Sequence, residues 1–310
     1  MNNTAKGFLL AALAGATWGT YGTFVSLLGN YGFSETAIAA LAPIMLIVLF
    51  FISAMIRNPK CLIPTKKQFL IFIIVGIIGV LGTNLCYAAA ISAGVSVGIA
   101  SVITFTNYFL VMVISRVVWK VKITAPKIGA GILAVVGIFM LIQAWTGLSM
   151  TVSGLLLIIV VTMTFAISYC LLYFSVNDLQ IDPDAFYMWI NLIGFILLCF
   201  ISPPWSIWGE ITASISAYGT APILLALLGF GLIPQLGSYF FLGRAFLHIE
   251  PPLVVIMFSL DPIVASILGY FVLGQVLAPI QLIGMAVILA ALIWLQLVEW
   301  KTPEAEQTAA

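Results

Sequence analysis

The sequence predicts an all-α membrane protein: ten transmembrane helices in two inverted five-helix repeats, with both termini cytoplasmic. Three observations carry that expectation. Hydrophobic residues make up 63% of the 310 residues and charged residues 7%, with a mean hydropathy of +1.24, outside the usual mix of a soluble globular domain. Ten apolar runs reach spanning length, since about 20 helical residues cross roughly 30 Å of hydrocarbon. Drawing those ten spans also leaves every Lys and Arg on one side.

The runs lie at 7–28, 34–56, 68–91, 95–118, 124–145, 152–176, 185–203, 220–246, 250–273 and 278–298, each bounded by charge, Pro or Gly. The first continues past Ala14 through Trp18 to Phe24, longer than the apolar core of a cleaved leader. The second ends at Arg57, and the third opens after Lys66 and Lys67. The fourth stops before Lys120, the fifth starts around Pro126 and Lys127, and the sixth stops before Asp178. Ser202-Pro203-Pro204-Trp205 closes the seventh run, and an interfacial turn is expected there with Trp205 and Trp208 at headgroup depth. Pro234 marks a kink in the eighth, Glu250-Pro251-Pro252 begins the ninth, and Lys301 ends the tenth. Residues 1–148 form the first repeat, 149–300 the second, and 301–310 a flexible cytoplasmic tail.

With a cytoplasmic N-terminus, all 11 Lys and Arg residues fall inside: Lys6, the 2–3 and 4–5 loops, Arg244 and Lys301. Span count and orientation support one another. A net charge of +1 leaves no basic surface for nucleic acid. Cys61, Cys86, Cys170 and Cys199 have no paired spacing, so neither a disulfide framework nor a metal site is expected, and no cofactor.

Aligned on itself, the chain repeats at the offset between Gly76 and Gly231, 155 residues, through the third to fifth and eighth to tenth runs. The first and sixth runs align slightly closer, Gly7 on Gly154. Five helices is an odd number, so the second half enters the membrane from the other side. Such inverted repeats allow two equivalent packings around a midplane site, an architecture suited to alternating access.

The two five-helix halves, the Trp18-Gly19 pair and the run from Asp261-Pro262 through Leu273-Gly274-Gln275 resemble the drug/metabolite transporter superfamily, in its EamA-type branch. The resemblance covers essentially the whole chain and implies a multi-pass cell-membrane transporter of small metabolites. Two departures stand out: Gln275 where such proteins commonly carry Glu, and Asn107-Tyr108 where the fourth helix often has Pro.

Asp261 is the most informative residue. Eleven residues from Glu250 at about 1.5 Å each put it roughly 16 Å deep, where a carboxylate is tolerated only against a bundle interior or wet cavity. Pro262 beside it removes a backbone donor, so Pro262 and Pro234 are the expected hinges. A proton-binding or cation-binding group is one reading of Asp261; a neutral structural Asp at a kink is the other. Trp18, Tyr21, Asn84, Tyr87, Asn107, Tyr108, Tyr169 and Tyr239 lie at similar depth on neighbouring helices. Aromatic faces around a carboxylate suit an organic cation; they are also common in plain packing. Arg244 and His248 are expected at a wet cytoplasmic mouth, where charge is screened.

The expected function is a secondary transporter exporting a small amino acid, amine or drug-like metabolite, coupled to protons or exchange; a facilitative or import carrier is the alternative. A membrane scaffold or sensor is the reading of another class. An intramembrane enzyme lacks a nucleophile with its base. Partners are a small-molecule substrate and the bilayer, and the chain is a monomer or a homodimer through peripheral helices.

Overall fold

The computed structural model describes residues 3–95, 97–147, 151–201 and 206–301. The first run divides into α1 (Asn3–Trp18) and α2 (Tyr21–Asn30), followed by α3 (Glu35–Arg57). The third comprises α4 (Lys66–Val75), a π-helical stretch Gly76–Gly82, and α5 (Thr83–Ser92). Next come α6 (Val97–Phe105), α7 (Asn107–Val118) and α8 (Ala125–Leu141). The second half holds α9 (Val152–Asn177), α10 (Pro183–Ile201), α11 (Ser206–Tyr218) and α12 (Thr220–Phe230), then a second π-helical stretch, Gly231–Gly237. It finishes with α13 (Ser238–Ala245), α14 (Pro251–Met257), α15 (Leu260–Leu273) and α16 (Pro279–Lys301).

Eight helices among the described residues are long and apolar enough to cross a membrane. Two of the ten expected runs fall outside that set: α8, apolar but 17 residues long, and the α4–α5 segment. Starts follow local chemistry. Ser34 and Thr151 accept the backbone N–H of Ala37 and Gly154, and Thr65 forms a reciprocal capping box with Gln68, satisfying donors that a helix start leaves open. Pro251 and Pro252 occupy the first turn of α14, where a missing N–H costs nothing.

Sequence repetition reappears as geometry. Both π-helical stretches sit at the same 155-residue offset. Thr17 and Ser238 share a hydroxyl–hydroxyl hydrogen bond of 3.1 Å, and Thr83 and Thr164 one of 2.9 Å. The repeat offsets carry Thr17 onto Thr164 and Thr83 onto Ser238, so each bond is the counterpart of the other. Helices α8 and α16 pack backbone to backbone: a Cβ at Gly284 would stand 2.7 Å from the Gly137 carbonyl, and one at Gly137 would stand 2.9 Å from that of Gly284. Only glycine permits that approach.

Two expectations change. The turn after the seventh run is the 13-residue helix α11; Ile207 is buried, Trp208 is 74% exposed, and Trp205 lies outside the described residues, as do residues 302–310. Glu210 on α11 receives the N–H and hydroxyl of Ser34 at 2.8 and 2.9 Å, which ties α11 to the start of α3. Pro234, the expected kink of the eighth run, lies within the second π-helical stretch, whose wider register accommodates a residue without an N–H. Arg244, expected at a wet mouth, is instead held in a largely buried ion pair.

Two ionic networks cross-link the end of the bundle that carries the cations. Asp184, in the first turn of α10 and 1% exposed, pairs with Arg244 at 2.9 Å, accepts the Ser53 hydroxyl at 2.7 Å and faces Arg57 at 3.9 Å. Arg244 also lies 3.4 Å from the centroid of the Phe240 ring. In the second network buried Lys127 pairs with Glu250 and faces Glu299 at 3.8 Å, and its ammonium donates to the Lys122 carbonyl. The first network joins α3, α10 and α13; the second joins α8, α14 and α16.

Candidate functional site

The site is built where two helices break side by side. Pro262 has no N–H for the carbonyl of Phe258, so that carbonyl accepts the Asp261 N–H at 3.0 Å, one residue short of α-helical spacing. The Ser259 hydroxyl donates to the Ile256 carbonyl at 2.8 Å and completes the break between α14 and α15. On the other strand of the crossing, α1 ends at Trp18, and the Thr20 hydroxyl turns back onto the Thr17 carbonyl at 2.7 Å. Gly15 and Gly19 let the two breaks touch: a Cβ at Gly15 would lie 2.7 Å from the Met257 carbonyl, and one at Gly19 would lie 2.6 Å from that of Asp261.

Asp261 is partly accessible, and no charged or hydrogen-bonding partner reaches its carboxylate among the described residues. That separates it from Asp184 and Glu299, which are more buried and face cations. A side chain with this exposure and no internal partner is left to water or to a ligand.

Aromatic rings converge from both halves. Trp18 stacks on Tyr21 with centroids 5.5 Å apart and an 8° interplanar angle, and meets Tyr239 edge-on at 5.4 Å. Tyr169 packs between Phe165, Phe258 and Phe246 at 6.0 to 6.4 Å, and Phe258 is the residue whose carbonyl accepts the Asp261 N–H. Tyr187 lies 5.0 Å from Tyr239 and completes a tyrosine cluster with Tyr169.

The expected residues therefore separate. Asp261, Trp18, Tyr21, Tyr169 and Tyr239 come together around the two breaks. Asn107, first residue of α7, is buried, and its side-chain carbonyl oxygen makes no hydrogen bond among the described residues. Tyr108, one residue on, points elsewhere: it is fully buried, donates to the Lys127 carbonyl at 2.8 Å and packs on Gly131. Tyr87 packs against the satellite hydrophobic cluster that contains Val95 and Ile158. The side chain of Asn84 lies outside the described residues.

Sequence reading missed Tyr187 and Asp184. Tyr187 is fully enclosed and its hydroxyl is unpaired among the described residues. The available signal was their spacing: Asp184 and Tyr187 are three residues apart at the start of α10 and share one face.

Burial of the ninth run changes at the break. Every residue of α14 is buried, whereas Ile263 and Gly269 alone are buried along α15. The ion pairs and the fully packed α14 lie at the cation-bearing end, and α15 beyond the break is less buried.

The family model described as EamA-like transporter family matches residues 5–143 and again 152–297. A solved structure described only as the crystal structure of a protein superimposes with TM-score 0.76 at 14% identity, covering 96% of this chain and 99% of that one. No curated protein sequence matches.

Proposed function

Because the chain belongs to the EamA-like transporter family, and is therefore an integral membrane transporter of the drug/metabolite type rather than an enzyme, we propose that it is a secondary transporter working by alternating access. It exports a small amino acid, amine or drug-like metabolite, with Asp261 exchanging a proton for the positively charged group of the cargo. Ten spans, formed by adding α8 and the α4–α5 segment to the eight long helices, put both termini in the cytoplasm and make the repeats inverted. The paired hydroxyl bonds and matched π-helical stretches support that symmetry.

One observation carries the site: Asp261 is a carboxylate without an internal counter-ion at the junction of two broken helices, between aromatic groups from both halves. The one carboxylate holds either a proton or the positive group of the cargo, but not both at once. Proton and cation then compete, the coupling an exchanger requires. Trp18, Tyr21, Tyr169 and Tyr239 supply aromatic faces to the cation, and Asn107 an acceptor oxygen. The same placements leave Tyr108 and Tyr87 as packing residues.

Repeat symmetry gives this site only one carboxylate. The 155-residue offset carries Asp261 onto Thr106 and Pro262 onto Asn107. A symmetric scaffold thus holds a single titrating group, which fits one exchanged charge per cycle. In this reading Asp184–Arg244 and Lys127–Glu250 act as the cytoplasmic gate and separate when the transporter opens to that side.

The test is uptake by proteoliposomes across a panel of amines and amino acids, with and without a pH gradient. Asp261→Asn keeps size and hydrogen bonding but removes the titrating charge, so it folds, loses proton-driven flux and binds cationic cargo weakly at all pH values. If wild-type affinity is flat from about pH 5 to 8 and Asp261→Asn still concentrates substrate, the coupling role of Asp261 is wrong.

A further inference from the structure

Lys127 faces two carboxylates, and its gate pair uses one of them. The Lys127 side chain is 5% exposed. Glu250, 19% exposed, is in contact with its ammonium, while Glu299, 6% exposed, stands 3.8 Å away. The ammonium also donates to the Lys122 carbonyl. Two acids are more than one buried ammonium needs for neutrality, and a second buried carboxylate adds desolvation cost.

The two acids belong to different packed units. Helices α8 and α16 meet along their shared length: Gln281 donates to the Leu141 carbonyl at 2.9 Å, Gly137 and Gly284 approach backbone to backbone, and a Cβ at Gly129 would stand 2.8 Å from the Trp294 ring. Lys127 and Glu299 lie at one end of that pair, so the glycine contacts hold them at fixed separation. Glu250 instead begins α14, which packs chiefly on α7 and α1, with Gly15 of α1 against the Met257 carbonyl. Lys127–Glu250 thus joins two units, whereas Lys127 and Glu299 share one.

From this division, and resting on the reading of Lys127–Glu250 as a gate pair, we propose that Glu299 is the reserve counter-ion of the gate, a positioning residue that takes over the Lys127 ammonium when Glu250 leaves with α14. Deleting the partner of a buried charge without returning that charge to water is the costly way to break an ion pair. Glu250 is the more exposed acid and is released to water; Lys127 and Glu299 are enclosed and stay together. The hand-over requires no shift between α8 and α16, because closing 3.8 Å to an ion-pair distance of about 2.8 Å is within the swing of a flexible lysine stem. Opening then exchanges one ion pair for another, which keeps the two gate states close in energy.

The experiment measures the distance between spin labels at Leu247 and Leu297 by double electron–electron resonance, on the full chain in lipid nanodiscs with its four cysteines replaced by Ala. Both leucines are exposed; Leu247 precedes Glu250 by three residues, and Leu297 lies on α16 two residues before Glu299. Wild type is expected to show a short and a long distance, from the closed and open gate. Glu299→Gln lowers the long-to-short ratio about tenfold, Glu299→Asp, which retains the charge, keeps most of it, and Glu250→Gln raises it. Lys127→Met/Glu299→Gln leaves no ammonium to strand and restores the ratio to the wild-type value or above. A merely structural Glu299 would lower thermal stability and leave the ratio alone. An unchanged or raised ratio in Glu299→Gln, or a fall that persists in Lys127→Met/Glu299→Gln, overturns the hand-over while the gate stands. A single short distance in both wild type and Glu250→Gln overturns the gate, and the hand-over with it.

Discussion

Replacing Arg244 by Ala is expected to destabilise the protein far more than replacing Arg57, although both guanidiniums face the same carboxylate. Arg244 is 13% exposed and pairs with Asp184 at 2.9 Å, while Arg57 is 52% exposed and 3.9 Å away. Removing Arg244 strands a carboxylate that is 1% exposed, leaving it the Ser53 hydroxyl and a distant, wet Arg57. Breaking a buried pair by deleting one partner costs about 3 to 5 kcal/mol, whereas an exposed pair contributes about 0 to 1 kcal/mol. The Arg244 variant also loses the ring contact with Phe240, worth about another 1 kcal/mol. Thermal unfolding in detergent of Arg244→Ala, Arg57→Ala, Asp184→Asn and the Arg244→Ala/Asp184→Asn double variant measures this. Asp184→Asn removes the stranded charge, so the double variant is less destabilised than the sum of the two single variants. Equal losses for Arg244→Ala and Arg57→Ala, or strict additivity in the double variant, would refute the reasoning.

Gly19→Ala should lower both folded yield and transport, because its Cβ meets the Asp261 carbonyl at 2.6 Å, an overpacking of about 1 to 3 kcal/mol; Gly22→Ala, with open space around its Cβ, serves as the control, and size-exclusion profiles with uptake compare them. The proposed topology predicts that cysteines placed at Gly29 and Gly147 are labelled from outside intact cells, whereas Cys61 is labelled only after permeabilisation; external labelling of Cys61 reverses the orientation. Burial, and then the neighbouring Lys6 charge, hold the His248 imidazole below its ordinary range. The group is thus neutral near pH 7, and the unfolded chain binds its proton first as pH falls, so any stability it contributes is lost below about pH 6.5. His248→Ala should leave the pH profile of transport between about pH 7 and 8 unchanged, and a shifted profile would assign His248 a place in coupling.

The helices and the repeat were legible in the chain because both are local or periodic properties. Hydropathy located the apolar runs, and the spacing of Gly76 and Gly231 marked the repeat offset at which the structure places two π-helical stretches. The expected depth of Asp261 came from counting residues along the ninth run, which the structure breaks into α14 and α15 just before that residue. The partner of a charge is not a property of the run that carries it. Asp184 and Arg244 are 60 residues apart, and nothing near either distinguishes a screened surface ion from one locked in a buried pair.

Composition and periodicity by themselves determined that this chain lives in a bilayer, that it is built twice over, and that one carboxylate falls eleven residues past Glu250 in the ninth run. Tertiary structure decided which acids have cations to face and which tyrosine rings join the cluster beside Asp261. Tyr108 and Tyr187 are the same residue type in equally apolar helices, yet one caps a backbone carbonyl at α8 and the other faces Tyr239. Helical rotation and crossing determine that difference. Those follow from contacts such as Gly15 and Gly19 against the break in the ninth run, made between residues more than 200 positions apart, and no window of sequence spans them.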